Sequence, residues 1–327
     1  MSRHFRRRPF AGLAALVGLG LLAAGCSGGG GGSAAPGGLE KTNLVVAAVP
    51  AMDSAALYIA ADRGLFAAEG LHVTILKTES GATAIGSQLQ GKFDVTAGNY
   101  VSYIRTNGAL KKPTDFRVLA PGSIMQAGNQ EIMVPPHSGI TTVSKLVGKS
   151  IAVNVQNNIG TLLVSSVLTD NAVQVAHGQF VAIPFQDMAN SLKNHRVDAA
   201  WMPEPFVSQA EESIGAVPLA DSNQGSTQNM PISGYMVTAN WLKKYPNTAA
   251  AFRTAILKAQ TIAGTSPAAI QQGMVKFAGT TQQTAAIANA PEFPTQNSAV
   301  LLQRLSDLML RFGMLQQKYS VSQMIVK

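Results

Sequence analysis

Two stretches of the chain repeat one pattern, and the repeat restricts the fold more than any other feature. The first is Gly91 to Asn99, GKFDVTAGN. Gly91 reads as a helix stop, because the residue just past a helix end often takes a positive φ, which glycine adopts without a Cβ penalty. Phe93 to Ala97 then reads as a short buried strand. Asn99 and Tyr100 fall at its end, where open α/β sheets place ligand-contacting residues. The second stretch is His195 to Glu204, HRVDAAWMPE. Aligning Asp94 with Asp198 sets Lys92 on Arg196 and Phe93 on Val197. The echo predicts two similar α/β lobes, each aiming a strand end at a shared space.

The order of elements around the echo agrees. Asn43 to Val49 is uncharged and rich in β-branched residues, so it reads as a buried strand. Asp53 or Ser54 caps a helix over Ala55 to Phe66. Leu71 to Lys77 alternates as a strand does, and Gly81-Ala82-Thr83 opens a helix to Gln90. This β-α-β-α-β order is the signature of a parallel sheet with helices on its faces. A second alternating run follows. Strands are expected at Phe116 to Pro121, Glu131 to Val134, Ser150 to Val155, Phe180 to Pro184 and Ala216 to Leu219. Helices are expected at Tyr100 to Asn107, Thr142 to Val147, Gly160 to Asp170, Met188 to Lys193 and Glu204 to Glu212. After a strand at Gly234 to Thr238 the pattern is helical to the end, which suggests a return to the first lobe and a wrap across its back.

A chain of 327 residues favours two domains or lobes. The N-terminus bears on the compartment. Arg3, Arg6, Arg7 and Arg8 form a positive segment, and Phe10 to Gly25 is apolar and small. That run is shorter than the ~20 residues a helix needs to span a bilayer, and it fits a secretory signal. It ends in LLAAGC, which resembles the bacterial lipobox, although Ala23 stands where leucine is usual. Cys26 would then carry a diacylglyceryl thioether and become the new N-terminus. It is the only cysteine, so no intramolecular disulfide can form. Arg7-Arg8-Pro9-Phe10 also resembles a twin-arginine export signal; Sec export stays equally open. Ser27 to Gly38 reads as a flexible tether of ~20 Å reach. The expected organisation is a signal peptide at 1–25, a lipid-anchored linker at 26–41, the first part of lobe I at 42–128, lobe II at 129–233, and a return to lobe I with C-terminal helices at 234–327.

Removing the segment before Cys26 takes four positive charges from the formal +8 and leaves +4. The remaining Lys and Arg are scattered, with no basic stripe interleaved with aromatics, which speaks against nucleic-acid binding. Gly148-Lys149-Ser150 is not a phosphate loop, because Val143 stands where its first glycine is required. His72, His137, His177 and His195 show no metal-binding spacing. No G-x-S-x-G elbow appears. The sequence therefore carries no expectation of catalytic residues, a metal or a cofactor.

PAMDSAALYIAADRGLFAAEGL, GATAIGSQLQGKFDVTAGN and DAAWMPEP together resemble the solute-binding proteins of nitrate/sulfonate/taurine-type ABC importers. The matching motifs are Gly64-Leu65-Phe66 to Gly70-Leu71, Leu146 to Lys149, and Trp201 to Pro205. The resemblance covers roughly Asn43 to Thr265. It implies a two-lobed type II periplasmic-binding-protein fold, an α/β architecture in which each lobe is a mostly parallel sheet flanked by helices, with two crossover strands as hinge and ligand between the lobes. It also implies a monomer that captures a small anionic or heteroaromatic solute of the sulfonate, nitrate or pyrimidine class. The partner would be an ABC permease with its ATPase, and the location the outer face of the cytoplasmic membrane, periplasmic where an outer membrane exists.

Helix N-termini aimed into such a cleft suit an anion. Gly81, Ala82 and Thr83 open one helix, and Asn158, Gly160 and Thr161 open another; each set either contacts ligand or caps its own helix. Met52 forms a cleft wall or packs in the core. Asn99 and Tyr100 sit at a strand end, and Tyr100 stacks on a ligand or covers a helix start. Trp201 packs the hinge or meets ligand. Glu204 holds a cationic group or caps the helix that Pro205 enters. Asp94 and Asp198 read as structural. Two rival readings remain. One is a sensor or scaffold lipoprotein with no transporter. The other is an enzyme similar to the thiamine-pyrimidine synthases, whose cysteine-rich motif has no counterpart after Cys26.

Overall fold

The computed structural model describes residues 38–109, 116–176 and 178–326. The signal segment, Cys26 and most of the tether lie outside them. Chain order begins β1 (Asn43–Ala48), α1 (Ala55–Asp62), α2 (Leu65–Ala68), β2 (His72–Lys77), α3 (Gly81–Leu89), β3 (Val95–Asn99), α4 (Tyr100–Ala109) and β4 (Phe116–Ile124). Next come β5 (Gln130–Val134), β6 (Ile151–Val153), α5 (Ile159–Asp170), β7 (Phe180–Ala182), α6 (Phe185–Lys193), β8 (Ala199–Pro203), α7 (Phe206–Ile214) and β9 (Val217–Asp221). The chain closes with β10 (Pro231–Thr238), α8 (Ala239–Lys244), α9 (Pro246–Thr265), α10 (Pro267–Gly273), α11 (Gln282–Ile287) and α12 (Ala299–Arg311).

Local chemistry accounts for most boundaries. The helix expected over Ala55 to Phe66 divides into α1 and α2 because Gly64 takes φ 66° between them. The Thr142 to Val147 helix is only a four-residue 3-10 turn, Val143–Leu146, followed closely by Gly148 at φ 68°. Strand β10 starts three residues earlier than expected, at Pro231, because proline is tolerated at the first residue of a strand. Pro246 at the first turn of α9 supplies a helix-ready φ and lacks only a donor that would be unpaired there.

The strands form two five-stranded sheets, β2-β1-β3-β10-β4 and β7-β6-β8-β5-β9. In the first, β1 pairs in parallel with β2 and β3, and β10 runs antiparallel to both β3 and β4. In the second, β6 pairs in parallel with β7 and β8, and β5 runs antiparallel to both β8 and β9. Each sheet thus has four strands in one sense and one reversed. The reversed strand is in each case the one by which the chain enters from the other sheet, after β4 and after β9. The two sheets are topological copies with helices around them, which is the two-lobed periplasmic-binding-protein fold.

The echo seen in the sequence is a structural device. Gly91 takes φ 74° and His195 φ 51°, each just past a helix end. Lys92 N–H donates to Ser87 O at 2.9 Å and Arg196 N–H to Ser191 O at 2.9 Å. Then Asp94 Oδ2 accepts from Val45 N at 2.9 Å, and Asp198 Oδ2 accepts from Ser150 N at 2.9 Å. A lysine completes each set: Lys41 Nζ lies 2.5 Å from Asp94 Oδ1, and Lys149 Nζ 3.3 Å from Asp198 Oδ1. Asp94 also accepts from Trp241 Nε1 at 2.8 Å. Burial alone would raise the Asp198 carboxyl; the Ser150 N–H and hydroxyl and the Lys149 ammonium outweigh it and hold the group below its ordinary value.

One apolar core packs β1, α1 and α9 together, with Leu44, Val46, Leu57, Ile59, Phe252 and Ile256 buried. The other runs from α4 and α12 through the second sheet to α5, with Ile104, Leu305, Met202 and Leu163 buried. Each such side chain contributes about 1.5–3 kcal/mol. The C-terminal helices do more than wrap the first lobe. Thr284 in α11 donates its hydroxyl to Glu212 Oε2 in α7 at 2.5 Å, which ties the tail to the second sheet's helices. Met324 and Val326 pair with Val118 at the open edge of β4.

Asp94→Ala is expected to cost about 3 kcal/mol, because the Val45 and Trp241 donors lose a charged acceptor in a buried place. Asp198→Ala, with a more exposed carboxylate, is expected to cost about 1 kcal/mol. Urea unfolding midpoints measure both, and equal losses would contradict the difference in burial.

Candidate functional site

The strand ends of both sheets meet around a cavity of about 40 Å³. That is room for about three waters at ~10–15 Å³ each. Ala51, Asp53 and Ser54 reach it from the loop after β1, Ser80 from the start of α3, and Ala97 to Asn99 from the end of β3. From the second sheet come Asn154 after β6, Ile159, Phe185, Trp201 and Pro203. The two crossing strands supply Gln130, Ile232 and Ser233. Val49 and Phe185 also line a wider groove of about 560 Å³ with Thr83, Lys77, Glu79 and Phe206. The inner cavity and the outer groove thus share a wall at these two residues.

The cavity carries polar atoms that the protein leaves unsatisfied. Trp201 is 2% exposed, and its indole Nε1–H has no hydrogen-bond partner in the protein. Gln130 is 1% exposed; its Nε2 donates to Asp53 Oδ2 at 3.5 Å, while its Oε1 has no partner. Asn154 Nδ2 donates to the backbone oxygen of Glu79 at 3.4 Å, and its Oδ1 has no partner. Both amide orientations follow from these bonds, because a carbonyl and an ionised carboxylate only accept. A buried polar atom without a partner costs about 1–3 kcal/mol. Ser123 donates its hydroxyl to Asp53 Oδ1 at 2.7 Å. Burial pushes the Asp53 carboxyl up to about 6, against the pull of the Ser123 and Gln130 hydrogen bonds. Among the described residues lining the cavity there is no Lys, Arg or His.

Of the candidate residues, Asn99 and Trp201 line the cavity. Asn99 Oδ1 also accepts from Ser102 N at 3.0 Å and so caps α4. Thr83 faces the outer groove. Its hydroxyl accepts from Ser80 N and its own N–H donates to Ser80 Oγ, a reciprocal cap at the start of α3. Gly81 lies against β3, where an added Cβ would meet the Gly98 Cα at 3.3 Å. Ala82 and Asn158 line a groove on another side of the cleft with Arg105. Asn158 caps α5 through the Ile159 N–H at 2.7 Å and bonds Ser102 across the cleft at 3.0 Å. Gly160 faces the Trp201 ring, since an added Cβ would stand 2.5 Å from Cε3. Thr161 is buried on α5, and its hydroxyl has no partner. Tyr100 is buried against Gly234, with its hydroxyl 3.4 Å from Asn297 Oδ1. Met52 is buried, and its N–H donates to Glu204 O at 2.9 Å.

Glu204 is the buckle between the lobes. Its backbone oxygen holds Met52, and its carboxylate accepts from Ser208 N, Ser208 Oγ and Asn289 N at 2.9–3.1 Å. It therefore caps α7 and ties down the segment after α11. Burial raises its carboxyl above the ordinary value despite these bonds. Glu131, on β5 beside Asp221 of β9, is also buried. Burial, with the carboxylates of Asp221, Glu204 and Glu211 nearby, pushes it up to about 8.

Asp53, Gln130, Asn154 and Phe185 escaped the reading of the sequence as cavity residues. A signal was present for three of them. The rule that singled out Asn99, a residue following a parallel strand, also points to Asp53 after β1, Asn154 after β6 and Phe185 after β7. Gln130 had no such mark, since it opens a reversed strand.

Residues 51–270 match the sequence profile of the family described as NMT1/THI5 like. No curated protein sequence matches the chain. Among solved structures, the fold resembles the alkanesulfonate-binding protein SsuA from Xanthomonas axonopodis pv. citri, bound to MOPS. The TM-score is 0.74 at 16% identity, over 88% of this chain and 99% of that one. It also resembles the periplasmic nitrate-binding protein NrtA from Synechocystis PCC 6803, with TM-score 0.71 at 17% identity, over 86% and 84%. The desulfurization enzyme DSZB is a third likeness, with TM-score 0.66 at 17% identity, over 88% and 96%. At these identities the likeness is one of fold.

Gly160→Ala is expected to push the Trp201 ring aside, costing about 1–3 kcal/mol and shifting tryptophan emission; an unchanged spectrum and midpoint would contradict the contact. The raised carboxyls set a pH trend. Asp53 and Glu131 hold protons in the fold that the unfolded chain releases near 3.8 and 4.5. Their stabilisation is full below those values and is lost as pH rises through about 6 and about 8. Thermal melts across that window are expected to fall with pH, and Glu131→Gln is expected to remove the upper part of the fall.

Proposed function

The chain belongs to the NMT1/THI5-like family, and on that premise we propose that it is an exported, lipid-anchored receptor. It captures a small solute between its lobes and presents it to an ABC permease with its ATPase. The observation that carries this reading is the cavity where the strand ends of both sheets converge, with buried polar atoms still lacking partners. Ligand pockets in open α/β sheets lie at such strand ends. Two crossing connections between the sheets support a hinge, and closure around a solute is a usual response of hinged lobes. Three or four charge-assisted hydrogen bonds at ~1.5–3 kcal/mol each fall in the range of micromolar affinity, which is ~8 kcal/mol.

Between the anionic and heteroaromatic solutes expected from the sequence, the lining favours the second, which needs the lobes to part or the adjoining groove to contribute space, since the cavity itself holds about three waters. Trp201 and Phe185 line it, with ring centroids 5.8 Å apart, and its described lining offers no cationic side chain. The reading is non-enzymatic: no cysteine follows Cys26 to serve as a nucleophile. Export rests on the signal-like N-terminus and Cys26. Among the described residues no helix is long and apolar enough to cross a membrane.

Thermal-shift measurements on the full chain, against sulfonates, nitrate, pyrimidines, flavins and aromatic carboxylates, test the receptor. A solute at 100 times its dissociation constant is expected to stabilise the protein by ~2.7 kcal/mol. No shift from any compound, with the protein folded, favours the scaffold reading. Fractionation tests the anchor: wild type is expected with membranes and Cys26→Ser in the soluble fraction, and equal partitioning would remove the lipid.

A further inference from the structure

Among its described residues the cavity lining pairs a carboxylate and unused amide oxygens with no cationic side chain. Asp53 presents a carboxylate supported by Ser123, and Gln130 and Asn154 each present an amide oxygen without a partner. Their amide nitrogens are already committed, to Asp53 and to the Glu79 carbonyl, so rotation of either amide would set oxygen against oxygen. The side-chain donors left over are Trp201 Nε1–H and the Nδ2 amide of Asn99, whose Oδ1 is committed to Ser102. A sulfonate or nitrate consists of acceptors alone; it would pair with the indole and the Asn99 amide but leave the Gln130 and Asn154 oxygens and Asp53 unmatched. It would also bring negative charge beside Asp53 in a place poor in water, where like charges repel strongly.

We propose that the solute presents a basic nitrogen, an amine or amidinium N–H group, to Asp53, with the Gln130 and Asn154 oxygens accepting its further N–H bonds. This rests on the receptor reading and names the chemistry of its ligand. Asp53 is then a specificity residue: it compensates a positive charge that no other described lining residue can, and it penalises an anion. The aromatic wall of Trp201 and Phe185 adds a surface on which a flat cation rests favourably. The Trp201 N–H is served by an acceptor elsewhere on the same solute.

Benzamidine, benzamide and benzoate share one shape and differ in charge, so they isolate this preference. Calorimetric titration of the full chain at neutral pH is expected to rank benzamidine at least tenfold tighter than benzamide, with benzoate weakest. Asp53→Asn, which keeps the Ser123 contact and removes the charge, is expected to shrink the benzamidine-to-benzamide ratio below threefold. Benzamide is expected to bind the Asp53→Asn variant within about threefold of its affinity for the wild type, which guards against a general loss of the cavity. Binding of benzoate at least as tight as benzamidine, or a ratio that survives Asp53→Asn, overturns the proposal and leaves the receptor standing. Binding of another solute from the wider panel with no response to benzamidine does the same. Failure of every compound removes the receptor reading and this one with it.

Discussion

An aspartate at the entrance to the third strand of each lobe sets the geometry on which the cleft depends. Asp94 takes the N–H of Val45, within β1, and Asp198 that of Ser150, just before β6, each on the neighbouring parallel strand or its entry. Two parallel strands have no hairpin to set their register, so a side chain bridging their starts does that work. Register at the start sets where each strand ends. The last residue of β1, Ala48, lies opposite Ala97, and β3 runs two residues further, to Asn99; β8 likewise runs two residues past the end of β6, to Pro203, so the overhang is alike in both lobes. Because both lobes use the same device, their strand ends face each other across a single cavity rather than two unrelated surfaces.

What closes that cavity is polar and local. Glu204 joins the loop after β1, the start of α7 and the segment after α11 through four hydrogen bonds. Ser102 and Asn158 face each other from α4 and α5. Such contacts suit a hinge: each is worth about 1 kcal/mol net, since water replaces it on opening. A binding event of a few kcal/mol can then shift the balance between open and closed forms. One apolar core lies within the first lobe, whereas the other continues from α4 and α12 into the second sheet.

Much of this was legible in the residues. The β-α alternation and the echo about Asp94 and Asp198 followed from pattern. They depend on local propensity and periodicity, which a linear sequence carries. The site was less legible. Asn99 and Trp201 line the cavity, whereas Gly81 lies against β3 and Gly160 against the Trp201 ring. The motif around each helix start looked alike whether its glycine freed a backbone for a ligand or made room for a neighbour. Ser80 and Asn158 use their own side chains as caps, and capping and ligand binding call for the same residue types.

The sequence by itself determined two α/β lobes, the order of their elements and the aspartates that align their strands. Each of these is encoded within segments of a few to about twenty residues, the length of ordinary helices and strands. Tertiary structure alone decided which polar groups would be left without partners. Gln130 opens β5 and Asn154 follows β6, and their amide nitrogens are spent on Asp53 and Glu79 of the first lobe. Whether an amide oxygen is satisfied is a property of everything packed around it, so no reading of neighbours in the chain reveals it. The cavity's preference for donors arises there, from distant residues that only the folded chain brings within hydrogen-bonding reach.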